Sequence, residues 1–279
     1  KAKLSVNFDK GVKCWVCNWA SPKISRLVNR LGDRRQKDEW SEVDESIDIT
    51  EFDLELFESL NSEEEKEQRV KIPEDFISLV NGNLPRTSVY PLKYLKNRGV
   101  SKDDIRYWKI GYCNDGEYGN RIIIPSFNEK GYINYFVART FTNGWPKYKN
   151  PTAKRDLVFN ELCIDWDRPI VLVEGVFDAI KAGPNSVPML GSSLREQSKL
   201  FNTIVERSSK IYLALDADAI KKELWIAKRL MEYGIELYKV DIDGYTDVGE
   251  MDKQTFIEKK AEAKPINCES SLLYQTLAV

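Results

Sequence analysis

The sequence predicts an α+β chain with an α/β portion: a parallel sheet flanked by helices, preceded by a mixed, basic α+β block and a short cysteine-bearing hairpin. Three observations predict it. After Pro169, short apolar runs alternate with amphipathic stretches, which is the signature of strand-helix-strand units and a parallel sheet. Between Pro73 and Arg168, short alternating runs are separated by the turn sequences Asn-Glu-Lys-Gly and Thr-Asn-Gly. Near the N-terminus, two strand-like runs bracket Asp9-Lys10-Gly11, and the second ends on Cys14-Trp15-Val16-Cys17.

Taken in order, LSVNF and VKCWVC form the hairpin, and ISRLVNRLG reads as a basic helix, so residues 1–37 are one expected segment. Residues 38–72 follow as an acidic linker that contains neither glycine nor proline. From Asp38 to Glu67 there are 14 acidic residues and one basic, Lys66. Such a run is expected to be solvated, with docking on the basic body as a nucleic-acid mimic the alternative. In the block 73–168, PLKYLKNRG and the stretch after Ser101 read as helices, the second with Ser101 as N-cap and Asp103 and Asp104 in its first turn. NRIIIPSF, YINYFVARTF and WPKYKN read as strands of a half-buried antiparallel sheet. Their cations Arg121, Arg139, Lys147 and Lys149 interleave with Tyr118, Tyr135, Trp145 and Tyr148, a mixture suited to phosphate contact and base stacking.

Residues 169–258 supply four strand-helix units. PIVLVE, SVPML, KIYLALD and IELYKVDI are the strands. GVFDAIKA, ended by Gly183, is the first helix, and SLREQSKLFNTIVERS, capped by Ser192 or Ser193, is the second. The third, DAIKKELWIAKRLMEY, carries an expected core stripe of Ile220, Leu224, Ala227 and Met231 and ends at Gly234. Residues 259–279 form a tail with weaker signals.

Composition narrows the chemistry. The 279 residues contain no histidine, so within this chain Ser-His-Asp triads, Cys-His dyads and HExxH zinc sites are excluded. The formal net charge of -2 hides a segregation: outside 38–67 there are 30 acidic against 41 basic residues, a net of +11, densest in residues 1–37. That excess suits a polyanionic partner. The five cysteines are odd in number and scattered, which argues against a disulfide scaffold and for a reducing, cytoplasmic setting. No apolar run is long enough for a membrane helix, so no membrane partner is expected. The first residue is Lys, and the chain is expected to lack an upstream segment.

In a parallel sheet, functional side chains gather at the carboxyl ends of strands. Glu174 directly follows PIVLV, Asp216 and Asp218 follow IYLAL, Asp247 lies in the loop after the fourth strand, and Asp178 is one helical turn beyond Glu174. Carboxylates converging there repel unless a cation fills the space, and an oxygen-only donor set selects Mg²⁺ or Mn²⁺. The competing reading is that Glu174, Asp216 and Asp218 merely cap helices. Cys14 and Cys17 supply half of a zinc site, which needs two further ligands.

VLVEGVFDAI, LALDAD and GYTDVGEM together resemble the Toprim domain. YLKNRGVSKDDIRYWKIGYC, NRIIIPSF, GYINYFVART and PKYKNP resemble the N-terminal half of the DnaG-type primase catalytic core, and VNFDKGVKCWVC resembles the second half of the zinc ribbon that precedes it. The short chain is most similar to phage members. The resemblance implies a Toprim-type sheet behind a basic subdomain and a partial zinc ribbon. It implies a DNA-directed RNA polymerase, a nucleotidyltransferase that joins ribonucleoside triphosphates on single-stranded DNA during replication by two-metal phosphoryl transfer. Glu174, Asp216 and Asp218 would be catalytic, and with Asp178 and Asp247 would bind metal. Arg121, Arg139 and Lys147 would contact template or nucleotide. Zn²⁺ at Cys14 and Cys17 is implied only with the missing half-ribbon, and a replicative helicase on a separate chain is the implied partner. The family's second aspartate after Asp247 is Gly249 here, with Glu250 the substitute candidate. The rivals are a Toprim nuclease or topoisomerase and a non-catalytic replisome module that binds DNA.

Overall fold

The computed structural model describes residues 4–7, 11–14, 19–37, 40, 67–191, 194–207 and 210–266. They fall into two compact units, residues 1–67 and 68–279. No helix among the described residues is long and apolar enough to cross a membrane.

In the first unit, β1 (Leu4–Asn7) pairs antiparallel with β2 (Gly11–Cys14), with Leu4 opposite Cys14, and β2 pairs with a two-residue strand β3 (Ala20–Ser21). Gly11 has φ +88°, and a Cβ there would lie 2.1 Å from the Ser21 carbonyl oxygen, so only glycine lets the two strands approach. The basic helix α1 (Ile24–Leu31) follows, with the Arg30 guanidinium 5.2 Å from the Trp19 ring centre. The expected strand through Cys17 is observed as far as Cys14. Cys17 lies outside the described residues, as does nearly all of the acidic segment 38–66.

The second unit begins with β4 (Phe76–Ser78), α2 (Val89–Asn97), α3 (Lys102–Tyr107), β5 (Gly111–Cys113), β6 (Arg121–Phe127) and β7 (Ile133–Thr140). The four strands form an antiparallel sheet in the order β4-β5-β6-β7. This sheet is not half-buried as expected: β6 and β7 are buried along almost their whole length. One face belongs to the main core. The other is closed by Val70, Ile72, Phe76 and Tyr118 over Cys113, Ile123, Phe136 and Ala138. The preceding chain is tied there by the Val70 N–H to the Ile133 carbonyl (2.8 Å) and by the Gln68 amide to the carbonyls of Asn134 and Lys154. WPKYKN makes no full strand; a single bridge joins Arg139 and Tyr148.

The chain then lays down β8 (Ile170–Val173), α4 (Val176–Ala182), β9 (Ser186–Pro188), α5 (Lys199–Arg207), β10 (Lys210–Leu213), α6 (Ile220–Glu232), β11 (Glu236–Lys239), α7 (Lys253–Ala261) and β12 (Lys264–Pro265). The sheet order is β12-β11-β10-β8-β9, parallel except for the antiparallel edge β12. The second helix starts at Lys199, later than expected, where the Ser198 hydroxyl accepts the Phe201 N–H; Ser192 and Ser193 lie outside the described residues. The buried stripe of α6 is Glu223, Ile226, Ala227 and Leu230 rather than the expected set, and Ile220 is exposed. Glu223 is tolerated inside because Lys239 on β11 pairs with it at 2.6 Å, fastening helix to strand.

One apolar core underlies both sheets of this unit. Leu95, Trp108, Tyr112, Ile122, Ile124 and Phe159 belong to the same cluster as Val171, Val173, Phe177, Ile180, Val248 and Phe256. A second link joins α3 to α7. Ser101 and Asp104 form a reciprocal capping box, and Lys253 of α7 bonds the largely buried Asp104 carboxylate. Replacing Asp104 by Ala removes the cap and leaves Lys253 without that partner. Urea unfolding should show a loss of about 2 kcal/mol, against under about 0.5 kcal/mol for the exposed neighbour Asp103→Ala.

Candidate functional site

Strand β8 lies between β9 and β10, where the chain order reverses, so its carboxyl end opens at the switch point of the sheet. Glu174 occupies that end, and Lys222 of α6 donates to its Oε2 at 3.0 Å. Asp216 lies in the loop after β10, with Asp218 exposed two residues on. Asp247 lies in the loop after β11, where its Oδ1 accepts the Glu250 N–H at 3.0 Å. The helix-cap reading fails for Glu174, Asp216 and Asp218, whereas Asp247 does cap the short 3-10 turn Val248–Glu250. The N-cap of α6 is Ala219 without a side-chain bond, and that of α4 is Gly175.

Asp178 holds the arrangement together. Its Oδ2 accepts the Gly175 N–H at 2.8 Å, and its Oδ1 accepts the Gly249 N–H at 2.9 Å, 71 residues away in sequence. The Ala217 N–H donates to the Thr246 carbonyl at 3.1 Å, so the loops after β8, β10 and β11 are stitched to one another. Gly249 has no room for a side chain: a Cβ would sit 2.8 Å from Asp178 Oδ1 and 3.1 Å from Asp247 Oδ1. That is the local reason for glycine at this position. The Glu250 carboxylate accepts the Thr246 N–H at 3.0 Å, a bond within its own loop.

The acids feel one another. Burial, then the charge of Asp247, pushes the Asp178 carboxyl up to about 7, although its bonds from Gly175 and Gly249 work in the opposite direction. Burial, then Glu174, Asp247 and Asp218, pushes Asp216 up to about 6, with Lys222 pulling it back. Among the described residues, no three His, Cys, Asp or Glu side chains close into a group that would hold a metal ion as they stand. The donor set nevertheless suits a hard divalent cation: it is all oxygen, mutually repulsive and partly desolvated, and among the described residues none donates a hydrogen bond to the Asp216 carboxylate.

Beside the acids lies an arginine cluster that the sequence reading found only in part. The Tyr94 hydroxyl accepts from Arg139 Nε at 2.6 Å and from Arg98 Nε at 2.9 Å. Both guanidiniums pack on the Phe177 ring, at 5.2 and 4.9 Å from its centre, one residue before Asp178. Arg139 also donates to the Tyr148 hydroxyl. Burial raises the pKa of that hydroxyl, Arg139 and Arg98 draw it down, and Asp178 raises it, so cations and acids share one locality. Arg98, Tyr94, Phe177 and Lys222 were missed. Only Lys222 had a sequence signal, standing four residues after Asp218 on the next helix.

The remaining expected contacts sort by exposure. Arg121 is buried and spends a terminal nitrogen on the Pro146 carbonyl at 3.0 Å, supporting the loop that carries Trp145 and Lys147. Tyr135 is fully buried, and Tyr118 packs edge-on against Phe136, so neither is a stacking surface. Trp145, 90 % exposed, and the exposed Lys147 are open to a ligand. Cys113 is buried in the second apolar cluster, and burial pushes its thiol up to about 12. Cys14 ends β2, while Cys17 and Cys268 lie outside the described residues.

A parallel sheet with acids at its switch point, joined through one core to an antiparallel sheet, is consistent with a Toprim-like fold. Comparison with known proteins makes it specific. The chain is 30 % identical over 151 residues to the DNA primase of Staphylococcus aureus (strain COL), a match covering 48 % of this chain and 24 % of that protein. It is 25 % identical over 197 residues to the DNA primase of Thermotoga maritima, covering 64 % and 34 %. It superposes on the DnaG primase catalytic domain bound to ssDNA with a TM-score of 0.57 at 19 % identity, covering 69 % of this chain and 76 % of that one. With the zinc-binding and RNA polymerase domains of the Aquifex aeolicus primase the TM-score is 0.55 at 18 % identity, over 98 % and 80 %. No protein-family model matches the chain. The chain spans about a quarter to a third of the length of these curated relatives. Sequence similarity and fold agree: the chain is similar to DnaG-type primases and shares the fold of their catalytic core.

The two raised carboxyls fix the sign of a pH effect. Each holds its proton more tightly folded than unfolded, so without metal the chain should lose stability as pH rises from about 4 to about 7. Thermal melts in chelator at pH 8 should separate two roles. Asp216→Asn, which relieves repulsion, should stabilise by about 1 kcal/mol after allowance for solvent screening. Asp178→Ala, which strips two backbone N–H groups of their acceptor, should destabilise by about 2 kcal/mol.

Proposed function

We propose that the chain is the catalytic core of a DNA primase, joining ribonucleoside triphosphates into short RNA on a single-stranded DNA template. The observation that carries this reading is the placement of Arg139 and Arg98 against Phe177, beside the Glu174, Asp178, Asp216 and Asp247 carboxylates, on a DnaG-type fold.

Glu174, Asp216, Asp218 and Asp247 would hold Mg²⁺ or Mn²⁺, with Asp178 fixing the loops that present them. When bound, such ions supply Lewis-acid stabilisation of the charge that develops on the reacting phosphate and the leaving pyrophosphate. The chain's own residues do the positioning. Tyr94 and Tyr148 lock the Arg139 guanidinium in one plane, so it meets a triphosphate or template phosphate already oriented. Arg98, held by the same tyrosine, adds a second cation. Lys147 offers an exposed ammonium and Trp145 an exposed ring to the template strand. Cys14 and Cys17 read as half of a zinc ribbon that takes up Zn²⁺ only with two further ligands. A replicative helicase on another chain is the partner expected of such a core.

Incubation with single-stranded DNA, labelled ribonucleotides and Mg²⁺ or Mn²⁺ should give short RNA, reduced by at least about 10²-fold in Glu174→Gln and Asp216→Asn. Metal-dependent DNA cutting without synthesis would move the assignment to a Toprim nuclease, and binding without either activity to a replisome module. Lys147→Ala should weaken single-stranded DNA binding similarly across sequences and reduce the slope of log K against log salt by about 0.7, read by fluorescence anisotropy.

A further inference from the structure

The acidic cluster already contains a cation. Lys222 Nζ lies 3.0 Å from Glu174 Oε2, across 48 residues of sequence, with both side chains mostly withdrawn from solvent. Its charge also reaches Asp216 in the next loop, where it opposes the surrounding acids. It is therefore unlike the exposed pairs of this chain, such as Arg106 with Asp103, which join neighbours on one helix surface. Lys222 is one turn into α6, and its stem carries the ammonium back to the carboxyl end of β8, the place a divalent ion bound by Glu174 would need.

We infer that Lys222 is a built-in competitor for the metal at Glu174: its ammonium holds the carboxylate while the ion is absent and is displaced when the ion binds. The inference rests on the reading of the acidic cluster as a metal centre. Two physical consequences follow, of opposite sign. An ammonium within a few ångströms of a dication repels it, and Glu174 must give up one bond to form another, so Lys222 lowers the affinity for the bare ion. The displaced ammonium is a compact charge on a flexible four-carbon stem, left beside the cleft without its carboxylate. An incoming phosphate group is the anion that re-pairs it. Lys222 is thus a positioning residue that exchanges Glu174 for phosphate, making the centre fill more readily when a phosphorylated ligand arrives with the metal. A lysine with a purely structural role would give a different pattern, because its loss would loosen Glu174 and weaken the binding of metal and phosphate together.

The test is Mn²⁺ titration of the full chain followed by electron paramagnetic resonance, without nucleotide. Lys222→Met and Lys222→Gln should each bind Mn²⁺ at least about fivefold more tightly than the unaltered chain, and Lys222→Arg should stay close to it. Lys221→Met, which removes the same charge from an exposed neighbouring site, should leave the affinity unchanged. In saturating Mn²⁺, inorganic pyrophosphate should bind at least about fivefold more weakly to Lys222→Met than to the unaltered chain. Equal or weaker Mn²⁺ binding in both Lys222→Met and Lys222→Gln overturns the inference. Failure of the metal-centre reading itself gives another result: the unaltered chain binds no Mn²⁺, or Glu174→Gln binds it equally well.

Discussion

Repulsion among carboxylates at one edge of a sheet is the constraint on which the structure of this chain depends. Glu174, Asp216 and Asp247 arrive on three different loops, and left alone those loops would spread. They are held by bonds that involve the backbone: Asp178 accepts one N–H from its own helix start and one from the loop after β11, while Ala217 donates to Thr246. Burial first and repulsion second leave the Asp178 and Asp216 carboxyls holding protons well above their ordinary range. Storing such strain at a site is sustainable when the surrounding packing over-determines the geometry. Here that packing is Val173, Val176, Phe177 and Val248, all buried beneath the loops.

The glycine at position 249 follows from the same constraint. With Asp178 against its backbone, a Cβ there would crowd the carboxylate oxygens of Asp178 and Asp247, and the position supplies a hydrogen bond in place of the aspartate that the family resemblance leads one to expect. The acids that remain carry less mutual repulsion than a fuller set would. Lys222 offsets part of the rest.

Much of this was legible in the sequence because it is local. Apolar runs ended by an acid gave the strand ends, Gly183 and Gly234 gave the helix ends, and Ser101 with Asp104 gave the capping box, since each depends on neighbours in the chain. Other features depend on distant partners and carry no local pattern. Part of the second cover of the antiparallel sheet comes from Val70 and Ile72, which read as the close of a linker. Arg98 meets Arg139 only because Tyr94 and Phe177 are brought together by the fold. Glu223 reads as a solvent position on α6 until Lys239, on a neighbouring strand, explains its burial. Arg121 was read as a ligand contact, and what the structure displays is its support of a loop.

The continuous core under the two sheets bears on whether either sheet can stand alone. Val171, Val173, Phe177 and Ile180 belong to one buried cluster with side chains of the antiparallel block, including Tyr112, Ile124 and Val137. Cut at residue 168, each half would expose an apolar face of the kind that drives aggregation. The two sheets are therefore one folding unit, and the core that seats the acidic edge also seats Phe177, on which Arg98 and Arg139 pack.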